Sequence, residues 1–278
     1  MILVVGANGM LGQDLLALLG GRGHGIDIKE IDITSLDSVL KVIGELKPET
    51  VINCAAYTDV DGCESNTEKA MAVNGEGVAH LAMACREFGA VLVQISTDYI
   101  FDGGKGAPYV VDDPPRPLSV YGESKLAGEM NAIFAPEHLI IRTQWLYGLH
   151  GRNFVETMLK LGAEKDELSV VDDQIGSPTW TVDLARAIIA LVDRGCRGVY
   201  HAVNSGCCSW NGFARAIFQE TGLSVSVKPM TTDELNRPAR RPLYSTLDCG
   251  RLAADTGFEP QPWQQALQEY LALRHTSA

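Results

Sequence analysis

Ile2-Leu3-Val4-Val5-Gly6-Ala7-Asn8-Gly9-Met10-Leu11-Gly12 is the stretch whose reading decides the fold. Its four leading apolar residues predict a buried parallel strand, and the amphipathic run Met10–Leu19 predicts the helix that follows. Between them, Gly6 allows a tight turn, Gly9 lets backbone approach a pyrophosphate, and Gly12 permits close packing of helix on strand. The helix N-terminus adds unpaired N–H groups and a favourable dipole end. The Gly-x-x-Gly-x-x-Gly spacing differs by one residue from the Gly-x-Gly-x-x-Gly dehydrogenase form. Its place between a strand and a helix makes it a dinucleotide signal.

The same alternation continues outward. Strands are predicted at 26–28, 50–53, 91–96 and 139–142, with weaker ones at 168–171 and 198–202. Helices are predicted at 35–46, 67–88, 120–134, 154–161 and 182–193. Strands separated by helices of this length imply right-handed crossovers and a Rossmann-type, doubly wound α/β sheet. After about residue 145 the pattern loosens: 231–244 reads as a loop and 263–273 as a last helix. The expected organisation is a dinucleotide-binding domain over 1–147, with a return segment at about 168–195. A smaller substrate-binding lobe is expected from C-terminal segments within 148–278.

The net charge of −12 argues against nucleic acid or an anionic membrane as a partner. The opening apolar run is too short for a signal-peptide core, and no later stretch approaches a membrane span. Seven cysteines, an odd number without Cys-x-x-Cys spacing, read as reduced thiols of a cytoplasmic protein.

Chemistry concentrates at a few positions. Asp27, about 20 residues beyond the glycines, is placed to bond adenosine ribose hydroxyls, whereas Lys29 would favour a 2′-phosphate. NADH and NADPH therefore both remain as cofactors. Cys54-Ala55-Ala56-Tyr57 follows the third strand with small side chains that leave room for a cofactor. Tyr121 and Lys125 in Tyr-Gly-Glu-Ser-Lys lie one helical turn apart on one face. An ammonium there is expected to lower the tyrosine pKa and make the phenol a workable general acid. Thr97 or Ser96, at the end of the fourth strand, can donate a hydrogen bond to a substrate carbonyl. Arg237-Pro238-Ala239-Arg240-Arg241-Pro242 reads either as a diphosphate clamp or as a solvated loop.

Together these residues resemble the extended short-chain dehydrogenase/reductase superfamily, and within it the dTDP-4-dehydrorhamnose reductase family. The similarity runs over nearly the whole chain. It includes Gly6 to Gly12, Asn53-Cys54-Ala55-Ala56-Tyr57-Thr58, Val60-Asp61, Asn74 and Ser96-Thr97-Asp98-Tyr99-Ile100-Phe101. It continues through Tyr121 to Glu129, Arg142-Thr143 with Trp145-Leu146-Tyr147, Asn153-Phe154, Asp173-Gln174 with Pro178-Thr179, and the arginine cluster. One departure stands out: Gly62 follows Val60-Asp61 where the family usually has a basic residue.

The resemblance implies Thr97, Tyr121 and Lys125 as the catalytic triad. It implies a cofactor site of Gly6, Asn8, Gly9, Met10, Leu11, Gly12, Asp27, Asp32, Ile33, Cys54, Ala55, Ala56, Tyr57 and Asn74, with Tyr121 and Lys125 shared. Val60, Asp98, Trp145, Arg237 and Arg241 are the expected substrate contacts. Some members use Mg²⁺ at a subunit contact; no acidic ligand set is identifiable here, and no metal site is assigned. The implied activity is NADPH- or NADH-dependent reduction of the C4 keto group of a nucleotide-linked deoxy sugar, with a homodimer as a further expectation. Two alternatives stand beside it: an epimerase or dehydratase that recycles its NAD, and a non-catalytic subunit like the regulatory partner of methionine adenosyltransferase.

Overall fold

Ile2, Leu3, Val4 and Val5 are all buried, as a strand covered on both faces requires. Ile2 and Val4 point into one core cluster and Leu3 and Val5 into another, so the period-two alternation divides the sheet's two faces. The computed structural model describes residues 1–277. The chain first lays down β1 (Ile2–Val5), β2 (Gly23–Ile26), β3 (Thr50–Asn53), β4 (Val91–Thr97) and β5 (His138–Thr143). Short strands β6 (Leu146–Tyr147), β7 (Glu167–Val171), β8 (Ile175–Gly176) and β9 (Thr179–Trp180) then leave the sheet before β10 (Gly198–His201) returns to it. The six-stranded sheet runs β10-β5-β4-β3-β1-β2 and is parallel throughout.

Helices cover both faces. They are α1 (Met10–Leu19), α2 (Leu36–Leu46), α3 (Val60–Ser65), α4 (Thr67–Met71), α5 (Gly77–Phe88), α6 (Val120–Ala132), α7 (Phe154–Glu164) and α8 (Thr181–Asp193). Leu11, Leu15 and Leu19 of α1 meet Leu184, Ile188 and Leu191 of α8 on one face. Val39 and Ile43 of α2 meet Leu81 and Cys85 of α5 on the other. Each such fully buried aliphatic side chain stabilises the fold by about 1.5–3 kcal/mol. The chain steps from β1 outward to β2 and then back past β1 to β3. The strand order therefore reverses between β1 and β3, and a ligand crevice is expected beyond their C-terminal ends.

The smaller lobe adds β11 (Cys208–Ser209), α9 (Trp210–Thr221), β12 (Ser226–Met230), α10 (Thr232–Leu235) and α12 (Trp263–Ser277), whereas α11 (Gly250–Thr256) packs through Leu252 against the main sheet beside α8 and β10. The lobe's core is aromatic, built around Tyr147, Phe213, Trp263 and Tyr270. Three differences from the sequence expectation matter. The segment 168–171 belongs to β7, which pairs with β12 in this lobe; the return to the main sheet is made by α8 and β10. The predicted helix 67–88 is α4, a wide turn over Ala72–Glu76 and α5. The stretch read as a loop at 231–244 contains α10, capped reciprocally by Thr231 and Glu234. No helix among the described residues is long and apolar enough to cross a membrane.

Candidate active site

The glycine loop sits at the reversal. Gly6 has φ 79°, and a Cβ on it would lie 2.6 Å from the Ala55 nitrogen; a Cβ on Gly12 would lie 2.4 Å from the Gly6 carbonyl oxygen. No side chain caps α1 and no acid occupies its first turn, so its leading N–H groups are available to an anion. Asp27 follows β2 directly and braces the loop: its carboxylate accepts from the Asn8 N–H and from the Ile28 N–H, each at 2.8 Å. A cavity of about 290 Å³ beside it is lined by Gly6, Gly9, Asp27, Asp32, Ile33, Cys54, Ala55 and Ala56, among others. It shares Gly9 and residues 54–56 with a second cavity of about 550 Å³. The two form one trough across the end of the sheet.

The larger cavity holds the expected catalytic residues together: Thr97, Tyr121 and Lys125 all line it, with Met10, Leu11 and Gly12 on its glycine-loop side. Thr97 ends β4. Ser119 caps α6 by accepting from the Gly122 N–H, which fixes the turn that presents Tyr121. Val60, Asp98 and Trp145 line the cavity too, as does Trp210, whose ring stacks on Trp145 at 3.6 Å. Trp145 holds this position with φ 50°, a left-handed backbone that is costly for a bulky residue. Buried atoms Ser96 Oγ, Thr143 Oγ1 and Gln144 Nε2 belong to residues of the cavity wall and have no protein partner. Unmatched polar atoms of this kind suit a hydroxyl-rich ligand.

Electrostatics departs from one expectation. Lys125 Nζ donates to the Ile95 carbonyl at 2.6 Å, and burial pulls its pKa down to about 8, with Glu129 and Cys54 opposing. Tyr121 is not lowered. Burial pushes its phenol above the ordinary tyrosine value, and a hydrogen bond with Thr97 only partly offsets this. The expectation counted the ammonium and omitted the desolvation of the phenolate. Glu129, one turn beyond Lys125, is locked to Arg142 of β5 by hydrogen bonds of 2.8 to 3.3 Å, a buried pair behind the site.

Some expected residues lie elsewhere. Asn8, Tyr57 and Asn74 do not line either cavity. Asn74 is buried and its amide is fully used, accepting from the Tyr57 N–H and donating to the Tyr57 carbonyl and Ser124 Oγ. Arg237 and Arg241 line a separate cavity of about 560 Å³. Both are tied to Asp61 of α3, at 3.5 and 3.0 Å, and Asp61 also accepts from the Ala239 N–H. Gly62, next in α3, donates its N–H to the capping Asp59 carboxylate at 2.9 Å; a Cβ there would lie 2.3 Å from that carboxylate. Sequence reasoning missed Trp210, Gln144 and Ser245, which no local pattern marks.

Comparison with known proteins agrees with this geometry. The family model described as "RmlD substrate binding domain" matches residues 1–275. A dTDP-4-dehydrorhamnose reductase of Streptomyces griseus is 47% identical, covering 96% of this chain and 91% of its own. The crystal structure of a dTDP-4-dehydrorhamnose reductase from Clostridium acetobutylicum is 44% identical, with a TM-score of 0.96 and 99% of each chain covered. One from Bacillus anthracis, in complex with NADP, is 39% identical with a TM-score of 0.95 and 98% of each chain covered. On its fold, its site and these likenesses, the chain belongs to the RmlD substrate binding domain family, alongside the dTDP-4-dehydrorhamnose reductases.

Proposed function

We propose that this protein reduces the C4 keto group of dTDP-4-dehydro-L-rhamnose to give dTDP-L-rhamnose, using NADPH or NADH. The convergence of Thr97, Tyr121 and Lys125 in one cavity continuous with the glycine-loop trough carries the reading. Bound in that trough, the dinucleotide supplies the hydride that C4 receives. Tyr121, kept protonated by burial, gives its proton to the forming alkoxide. Thr97 polarises the carbonyl, and Lys125 places a positive charge beside the cofactor ribose and the phenol. Trp145 and Trp210 offer a stacked apolar wall to the sugar. Residues 1–147 with α8, β10 and α11 form the cofactor half in this reading, and the other C-terminal segments form the substrate lobe. Seven free cysteines fit work in the cytosol. An epimerase would recycle its cofactor and a regulatory subunit would not consume it. Steady cofactor oxidation with dTDP-4-dehydro-L-rhamnose, within a panel of nucleotide keto-sugars, is the expected result; none with any of them would reject the reading.

Both cofactors should be accepted. Asp27 disfavours a 2′-phosphate, but its carboxylate is already bonded to two backbone N–H groups, and Lys29 stands exposed two residues on. Values of kcat/KM for NADH and NADPH are expected to agree within about a thousandfold, roughly 4 kcal/mol. A larger ratio would contradict this.

Arg241→Ala is expected to raise KM for the nucleotide sugar by about 10- to 100-fold, from one lost charge-assisted contact, and to leave cofactor KM near wild type. The side chain is 15% exposed and bridged to Asp61, so its guanidinium is held in place before any diphosphate arrives. An unchanged sugar KM would leave Arg241 with only its structural contact to Asp61.

A further inference from the structure

A threonine hydroxyl has one proton and two lone pairs. Thr97 Oγ1 directs its proton at Asp98 Oδ1, 3.1 Å away, and accepts from the Tyr99 N–H at 3.3 Å. While Asp98 is a carboxylate, Thr97 therefore has no proton to offer a substrate carbonyl. The other Asp98 oxygen meets Ser245 Oγ at 2.5 Å, and Ser245 also reaches Gln144 Oε1 at 3.3 Å. Asp98 is 1% exposed and Ser245 2%. Among the described residues no cation pairs with Asp98; Arg241 acts on Tyr99 instead.

We propose that Asp98 works as a neutral acid that turns the Thr97 proton toward the substrate carbonyl, and that Ser245 is the positioning residue that holds Asp98 for this. With the carboxyl protonated on Oδ1, Asp98 donates to Thr97 Oγ1. Thr97 keeps the Tyr99 N–H on its second lone pair, and its own O–H is released from Asp98 toward the Tyr121 phenol, with which it is hydrogen-bonded, and toward the substrate carbonyl. Oδ2 accepts from Ser245 Oγ, which fixes the carboxyl with Oδ1 toward Thr97. Loss of the Asp98 proton reverses the Thr97–Asp98 bond and withdraws the donor from the substrate.

The surroundings agree. Burial pushes Asp98 up to about 7, against the hydrogen bonds from Ser245 and Thr97 that pull it down. The groups facing it are Thr97 and Tyr99 from its own segment, Ser245 from the C-terminal segment, Gln144 beyond β5 and Tyr121 from α6. The two tyrosines are both pushed up by burial, so Asp98 is the member that changes charge near neutrality.

The inference rests on the reductase reading, in which Thr97 contacts the carbonyl. The test is the pH dependence of kcat in the full chain with NADPH and dTDP-4-dehydro-L-rhamnose. Wild-type kcat should fall as pH rises through about 7. Asp98→Asn supplies a donor that cannot ionise; it should keep kcat within about tenfold at low pH and lose that fall, leaving only the decline near 8 that belongs to Lys125. Ser245→Ala removes a bond that lowers the Asp98 pKa, so the descending limb should move to higher pH, with kcat about tenfold lower and KM little changed. A folded Asp98→Asn that retains the wild-type limb, or, should it not fold, a Ser245→Ala limb left in place, overturns the proposal. Thr97→Ala separates the two levels: wild-type kcat in that variant would remove the role given to Thr97 itself, whereas a loss there with unshifted limbs removes only the role of Asp98 and Ser245.

Discussion

Tyr121→Phe is expected to lower kcat by about 10²–10⁴-fold while leaving the fold and cofactor affinity near wild type. The substitution keeps the ring, and with it the edge-on contact to Tyr99 at 5.4 Å. It deletes only the hydroxyl, which in the proposed function gives its proton to the forming alkoxide. Because burial holds the phenol above its ordinary pKa, Tyr121 carries its proton throughout the working range. The deficit of the Phe variant should therefore be nearly constant with pH up to the decline near 8. Stopped-flow or steady-state rates across that range measure it. A folded, cofactor-binding variant with more than about a tenth of wild-type kcat would show that Tyr121 is not the acid.

Lys125→Met should lower kcat by about 10²-fold or more and also raise cofactor KM, since in the proposed function one cation serves both phenol and ribose. The backbone should tolerate the change: the Ile95 carbonyl that Lys125 bonds also accepts from Gln94 Nε2 at 2.8 Å, so it is not orphaned. The Lys125 pKa is lowered by burial, so its charge is present at low pH and lost as pH rises through about 8. The gap between wild type and variant should accordingly narrow above that pH. A deficit that stays constant through pH 8, or appears in kcat alone, would deny Lys125 this double role.

The parts of this molecule written in local sequence were legible, and the parts made by distant contacts were not. β1, β3 and α1 fall on the expected residues because strand burial, glycine position and helical periodicity are all local signals. Tyr121 and Lys125 could be paired because four residues on a helix fix their neighbourhood. Their pKa values could not be read, since a neighbour's charge is visible in sequence and desolvation is not. The arginine cluster was visible as a cluster, but nothing near it showed that Asp61, 180 residues away from Arg241, holds it against α3. Ser245 reaches Asp98 across 147 residues and carries no motif of its own. The break in the helix 67–88 follows from Asn74, whose side chain clamps Tyr57 and Ser124 from within the wide turn. The helix α9 escaped notice because a glycine, Gly212, sits in its first turn; it gives its N–H to Ser209 and leaves Phe213, Ala214, Ile217 and Phe218 to fill the aromatic core.

The account's central claim is a net transfer of hydride from cofactor to C4 of a nucleotide-linked keto-sugar. It is tested most directly by incubating the protein with NADPH deuterated at the transferring position of the nicotinamide and dTDP-4-dehydro-L-rhamnose, then examining the product by NMR and mass spectrometry. The account predicts one cofactor oxidised per sugar consumed, with the deuterium bound at C4 of dTDP-L-rhamnose. An altered sugar formed without net cofactor oxidation, or a product with no deuterium at C4, would contradict it.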